Sequence, residues 1–195
     1  MKVELLNITP DAEQFISQCS AICYDADTND EAKNDRRIKH LMSVKHLATL
    51  RFAHATFRVS GISRACSHQF VRSKHLDFLQ RSQRYCSEKE AEYVTPDALL
   101  NSTGYREAMN NAWKHYGDLL QSGVRKEDAR MVLPNATTTE LVVTGNLHAW
   151  KDFIALRTTP AAQSEIRYVA KDIQNILRLE CPNIFGLTNG EVTTL

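Results

Sequence analysis

The chain has 195 residues, 43% hydrophobic and 24% charged, with a formal net charge of +1. That length leaves room for one domain rather than two full cores, the near-neutral balance argues against a nucleic-acid binder, which carries a basic excess, and no apolar run approaches the ~18 residues of a spanning helix. Five cysteines without framework spacing, and an opening MKVELLNITPD without a signal-peptide core, read as reduced thiols in a cytoplasmic protein.

KVELL alternates enough for a first strand. Thr9-Pro10 reads as N-cap and first position of a helix, with Phe15, Ile16, Cys19, Ile22 and Cys23 inward and the two cysteines filling core space. The polar stretch from Asp25 to Asp35 reads as a loop, and residues 35–47 as helical. From Ala53 the period changes to two: Ala53, Ala55, Phe57 and Val59 form the inner face of a strand that Gly61 breaks. Ser63 can cap a helix over RACSHQFVRSK. A short strand is expected at 93–95, then a helix over 104–121 with Tyr105, Ala108, Met109, Ala112, Trp113 and Leu119 inward, stopped by Gly123. KEDARMVLP is a short helix ended by Pro134, and TTTELVVTG a strand. Asn146 caps a helix Leu147–Arg157, and Ala162, Ile166, Val169, Ala170, Ile173 and Leu177 line the last one. Few strands separated by helices predict an α+β single domain, a mixed or antiparallel sheet packed by helices.

No glycine-rich phosphate loop, paired C-x-x-C or H-E-x-x-H occurs, and the histidines lack ligand spacing, so no metal site is expected. The stretch SHQFVRSKHLDFLQRSQRY instead concentrates Arg72, Lys74, His75, Arg81 and Arg84. Two readings stay open from spacing alone. One is a solvated face with cations near a helix C-terminus; the other is an anion site. Ser82 and Arg84, two apart in an extended segment, point the same way and suit a phosphate. Arg130, three after Glu127, and Arg157, at a helix end, are permanent charges that either pair locally or hold an anion.

These residues resemble the signature of the flavin-dependent thymidylate synthases, Arg-His-Arg, seven residues, then Ser-x-Arg-aromatic. Here it reads Arg72-Ser73-Lys74, seven residues, Ser82-Gln83-Arg84-Tyr85. KHLATLRFAHATFRVSGISRACSHQ, VRKEDARMVLP and GNLHAWKDFIALRTTPAAQSEIR are similar to three further family blocks in the same order. The resemblance implies a thymidylate synthase-complementing-like fold and reductive methylation of dUMP to dTMP. It also implies FAD as cofactor, NADPH and methylenetetrahydrofolate as co-substrates, and a homotetramer; the charge balance and the lack of a long apolar run leave no nucleic-acid or membrane partner expected. The resemblance assigns the substrate to Gln69, Phe70, Val71, Arg72, Gln80, Arg81, Ser82, Gln83, Arg84, Arg130 and Arg157. Arg84 and Arg130 would hold the phosphate, and Arg157 would polarise the pyrimidine as the catalytic residue. FAD falls to His46, Ala48, Arg72, Ser73, Lys74, Gln80, Asn146, His148 and Asp152.

The chain departs from the family pattern mostly on the flavin side. Ser73 and Lys74 stand for His and Arg, and Asp77 for a hydroxyl residue, with Lys74 its expected partner. Arg51-Phe52 stands for Glu-His, Ala48 for a hydroxyl residue, His148 for Arg and Asp152 for Asn. Two other readings follow from these changes. One is methylation or hydroxymethylation of a cytidine nucleotide; the other is a non-catalytic nucleotide-binding homologue.

Overall fold

A computed structural model describes residues 1–186. Its elements run β1 (Lys2–Ile8), α1 (Ala12–Ala21), α2 (Glu31–Ser43), β2 (His54–Ser63), α3 (Arg64–Phe70), β3 (Leu76–Gln80), α4 (Thr103–Gln121), α5 (Lys126–Ala129), β4 (Thr138–Asn146), α6 (Leu147–Arg157), α7 (Ser164–Glu180) and α8 (Pro182–Phe185). The architecture is α+β. One sheet has the order β1-β2-β4-β3. Thr56 and Thr144 share a hydroxyl hydrogen bond of 2.8 Å while Arg58 reaches Glu140, so β2 and β4 are antiparallel. Likewise Arg81 N–H donates to Glu140 C=O, and Thr9 N–H to His54 C=O.

Two compact units share these strands. The first contains Met1–Lys2, Arg58–Arg72 and Phe78–Val142; the second contains Val3–Phe57, Ser73–Asp77 and the chain from Val143 onward. In the first, Tyr116 is fully buried on α4, and its hydroxyl accepts from Glu88 N–H. Trp113 Nε1 donates to the Glu88 carbonyl at 3.0 Å, and Phe70 meets Phe78 edge-on at 5.8 Å. These bonds tie the long segment between β3 and α4 to the helix.

In the second unit α1 packs on α2, α6 on α7, and α8 on both α2 and α7. Trp150 is its centre. The ring is wholly buried, stands 5.0 Å from Phe57 and 5.8 Å from Phe153, and donates Nε1–H to Ala55 C=O at 3.0 Å. A side chain at Gly145 would clash with the Leu76 side chain, so glycine is what lets β4 lie against the start of β3.

Several expectations need correction. Helix α1 starts at Ala12, after Asp11 in left-handed backbone, and Thr9 bonds His54 instead of capping. Phe15 and Cys23 are exposed and Cys19 only half-buried, so the cysteines are not core fillers; Ile16, Ser17 and Ser20 take the inner face. Helix α2 begins inside the expected loop because the Asp30 carboxylate caps Lys33 N–H at 3.0 Å. Helix α3 stops at Phe70, short of Arg72. His75 then adopts φ 64°, and β3 follows, a strand the sequence did not announce because Leu79 points outward at 77% exposure and breaks the polar alternation. Ala108 is exposed on α4. Tyr93 makes an isolated antiparallel bridge to Thr137 rather than part of a three-residue strand. The caps at Ser63 and Asn146 are formed as the sequence predicts, to Cys66 N–H and Ala149 N–H.

Candidate functional site

The expected substrate residues other than Arg157 all lie in the first unit. Helix α3 delivers Gln69, half-buried, and Phe70, fully buried, to its C-terminal end; Val71 and Arg72 follow, exposed. Phe70 has its ring in the core, so any ligand contact it makes is through its main chain. Gln80, at the end of β3, donates Nε2–H to Ser67 Oγ at 2.8 Å and to Thr139 Oγ1 at 3.3 Å. These bonds fix the orientation of its amide. Arg81 is committed elsewhere: its Nε lies 3.6 Å from the buried Glu88 carboxylate and its Nη2 donates to Ser87 C=O. Burial raises the Glu88 carboxyl above the usual glutamate range, with Arg81 and then Arg64 opposing. Arg81 is therefore a structural cation here, and Gln83 is buried beside it in sequence.

Ser82 Oγ accepts from Arg84 N–H at 3.2 Å, closing a local turn. The Arg84 side chain then reaches across 43 residues to Glu127, Nε to Oε2 at 2.5 Å. Arg125 Nη1 reaches the other oxygen, Oε1, at 3.1 Å. Arg130 makes its local contact with the main chain rather than with this carboxylate: its Nε donates to the Glu127 carbonyl at 3.0 Å. Glu127 thus gathers both arginines proposed for a phosphate. Each is held by Nε, and neither makes a hydrogen bond from its terminal nitrogens among the described residues. Two fixed guanidinium edges with spare donors suit a tetrahedral dianion. The Arg84 bond, and then the Arg84 charge, hold the Glu127 carboxyl below the usual glutamate range.

The expected flavin residues other than Arg72 and Gln80 lie in the second unit, as does Arg157. His46 and Ala48 sit exposed at the start of a 3₁₀ turn, Leu47–Phe52. The Asn146 side-chain oxygen caps α6 by accepting from Ala149 N–H. His148 is half-buried in the first turn of α6; its Nδ1 accepts from Arg51 Nε at 3.3 Å, and its Nε2 lies 3.9 Å from Asp152. Lys74 is exposed and makes no ion pair with Asp77 among the described residues, so that expectation fails. The reason is local: the left-handed turn at His75 separates the turn residue Lys74 from Asp77 on β3. Ser73 Oγ is buried with no hydrogen-bond partner among the described residues. Arg157 is half-buried as the last residue of α6.

Within the second unit, the orphaned Ser73 hydroxyl, the exposed Lys74 next to it in sequence and Arg51 are donors of the kind a dinucleotide cofactor can use. Sequence reasoning missed the gathering role of Glu127, although its spacing to Arg130 was the signal. It also missed that Arg51 and His148 are partners, for which the sequence holds no signal.

Comparison with known proteins places the chain in context. The family model described as "Thymidylate synthase complementing protein" matches residues 4–183. Among curated proteins, the flavin-dependent thymidylate synthase of Mycobacterium tuberculosis is 36% identical over 183 residues, covering 84% of this chain and 72% of the relative. That of Mycolicibacterium gilvum is 34% identical over the same shares. The Mycobacteroides abscessus protein is 35% identical over 174 residues, 80% of this chain and 70% of its own length.

Proposed function

Because the chain belongs to the thymidylate synthase complementing protein family, we propose that it is a flavin-dependent thymidylate synthase, a methyltransferase that converts dUMP to dTMP. The observation that supports this best is the Arg84–Glu127–Arg130 arrangement. It holds both candidate phosphate cations by Nε on one residue and leaves their terminal nitrogens to donate, while Ser82 closes the turn that carries Arg84.

The overall reaction balances as dUMP, methylenetetrahydrofolate, NADPH and a proton giving dTMP, tetrahydrofolate and NADP⁺. When bound, FAD supplies hydride transfer between the nicotinamide and the one-carbon unit. His46, Ala48, Arg51, Ser73, Lys74 and His148 would hold it. Arg84 and Arg130 anchor the nucleotide phosphate through charge-assisted bonds contributing about 1.5–3 kcal/mol each. The Gln80 amide, held by Ser67 and Thr139, orients the base. Arg157 keeps its charge at any working pH, so it can stabilise the pyrimidine deprotonated at N3 and raise the nucleophilicity of C5. The assembly is a homotetramer whose active sites draw on more than one subunit.

The test is product analysis. Purified protein with FAD, NADPH and methylenetetrahydrofolate is given dUMP or dCMP, and the nucleotide products are separated and weighed. Thymidylate from dUMP alone is the expected result. A methylated or hydroxymethylated cytidine nucleotide would replace the reading. Arg157→Ala is expected to lower kcat by at least about a hundredfold, and normal turnover in that variant would remove its activating role.

A further inference from the structure

Beside the Arg84 anchor the first unit carries a cleft of about 650 Å³, within the range of small-molecule sites. Its lining includes Arg84, Tyr85, Lys89, Arg125, Lys126 and Glu127. Four cations thus surround a single carboxylate, in a chain whose formal net charge is only +1. Glu127 engages Arg84 and Arg125. Lys126 Nζ donates to the Tyr85 carbonyl at 3.2 Å, a neutral acceptor that leaves the charge uncancelled. The exposed Lys89 ammonium has no hydrogen bond or ion pair among the described residues. Like charges collected this way repel, and a multivalent anion relieves the repulsion.

Building on the nucleotide reading above, we propose that this cleft is a subsite for phosphates beyond the first, so that nucleoside di- and triphosphates bind here more tightly than the monophosphate. The cleft and the phosphate anchor share Arg84. An occupant is therefore continuous with the phosphate held there, and a longer phosphate chain is the group a nucleotide carries at that point. Tyr85, with its ring 5.4 Å below the Arg84 guanidinium, closes one side and keeps that cation facing the cleft. The consequence is competition: a triphosphate derived from the product would displace the monophosphate substrate.

Calorimetric titration of the purified protein with dUMP, dUDP, dUTP and inorganic tripolyphosphate tests this. The expected result is dUTP binding about tenfold more tightly than dUMP, with a steeper loss on adding salt. Lys89→Gln combined with Lys126→Gln brings dUTP to the dUMP level and leaves dUMP affinity and thymidylate formation unchanged. Lys89→Gln alone, at an exposed position, lowers the dUTP advantage part-way and serves if the double variant does not fold. Equal affinities for dUMP and dUTP in the unmodified protein overturn the proposal, as does an advantage that survives both substitutions. Binding of dUTP and tripolyphosphate without dUMP supports the cleft and removes the monophosphate anchor. Binding of none removes both.

Discussion

Arg51 and His148, 97 residues apart, are joined by a hydrogen bond from Arg51 Nε to His148 Nδ1 of 3.3 Å. Arginine can only donate, so Nδ1 is the acceptor, and the ring N–H of the neutral imidazole sits on Nε2, towards Asp152. Arg51, His148 and Asp152 are all positions where this chain departs from the usual family residues. The departures are thus neighbours in the second unit, and the permanent positive charge of the cluster is carried by Arg51.

If that charge serves the flavin, Arg51→Ala will weaken FAD retention by about tenfold, read from the flavin absorbance that survives desalting. The effects of Arg51→Ala and His148→Ala should be non-additive, because the imidazole positions the guanidinium. Full additivity in the four-protein cycle would show that the bond has no part in cofactor binding.

The Arg84–Glu127 pair makes a prediction about acid. The folded Glu127 carboxyl lies below its ordinary value of about 4.5 because Arg84 bonds and attracts its charged form. Its contribution to stability is therefore complete above that value and lost as pH falls through the lower, folded value. Glu127→Gln should flatten the part of the stability–pH curve below about pH 4.5, measured by urea unfolding at a series of pH values. An unchanged acid limb would mean that the pair does not form in solution.

The core makes a prediction about stability. Trp150→Ala removes a fully buried ring and leaves the Ala55 carbonyl without its donor. The expected loss is about 3–5 kcal/mol, seen as a lower urea midpoint with the slope kept. A loss below about 1 kcal/mol would contradict the packing of Phe57 and Phe153 on this ring.

The thiols make a prediction about reactivity. Cys66 and Cys181 are buried, and burial pushes the Cys181 thiol up to about 12, with Glu13 and Glu180 adding to it. Cys23 is exposed. At mildly alkaline pH a maleimide should modify Cys23 first in the native protein and leave Cys66 and Cys181 untouched, whereas all five react after unfolding. Peptide mapping by mass spectrometry reads the order, and early modification of Cys181 would place it outside the core.

Much of the fold was legible in one dimension. The buried face of α6, with Leu147, Trp150, Phe153 and Ile154, matches the helical spacing read from the sequence, and so does that of α7 from Ile166 onward, although Ala162 falls before the helix begins at Ser164. The caps at Ser63 and Asn146 were equally plain, since a short polar side chain next to its own helix needs no tertiary information. Element edges were less so. The start of α2 hid in a polar run because its cap, Asp30, looks like any other loop carboxylate, and β3 hid because its outward Leu79 mimics a core residue.

By itself, then, the sequence determined the helices and long strands, the family and the set of cations from which a phosphate site could be made. Each of these is written in residue type and spacing along the chain. The tertiary structure alone decided which cations remain available. It committed Arg81 to Glu88, turned Arg84 and Arg130 onto Glu127, separated Lys74 from Asp77, and brought Arg51 to His148. A guanidinium on a long side chain has many partners within reach, and the choice among them follows from distances that exist only once the sheet has closed.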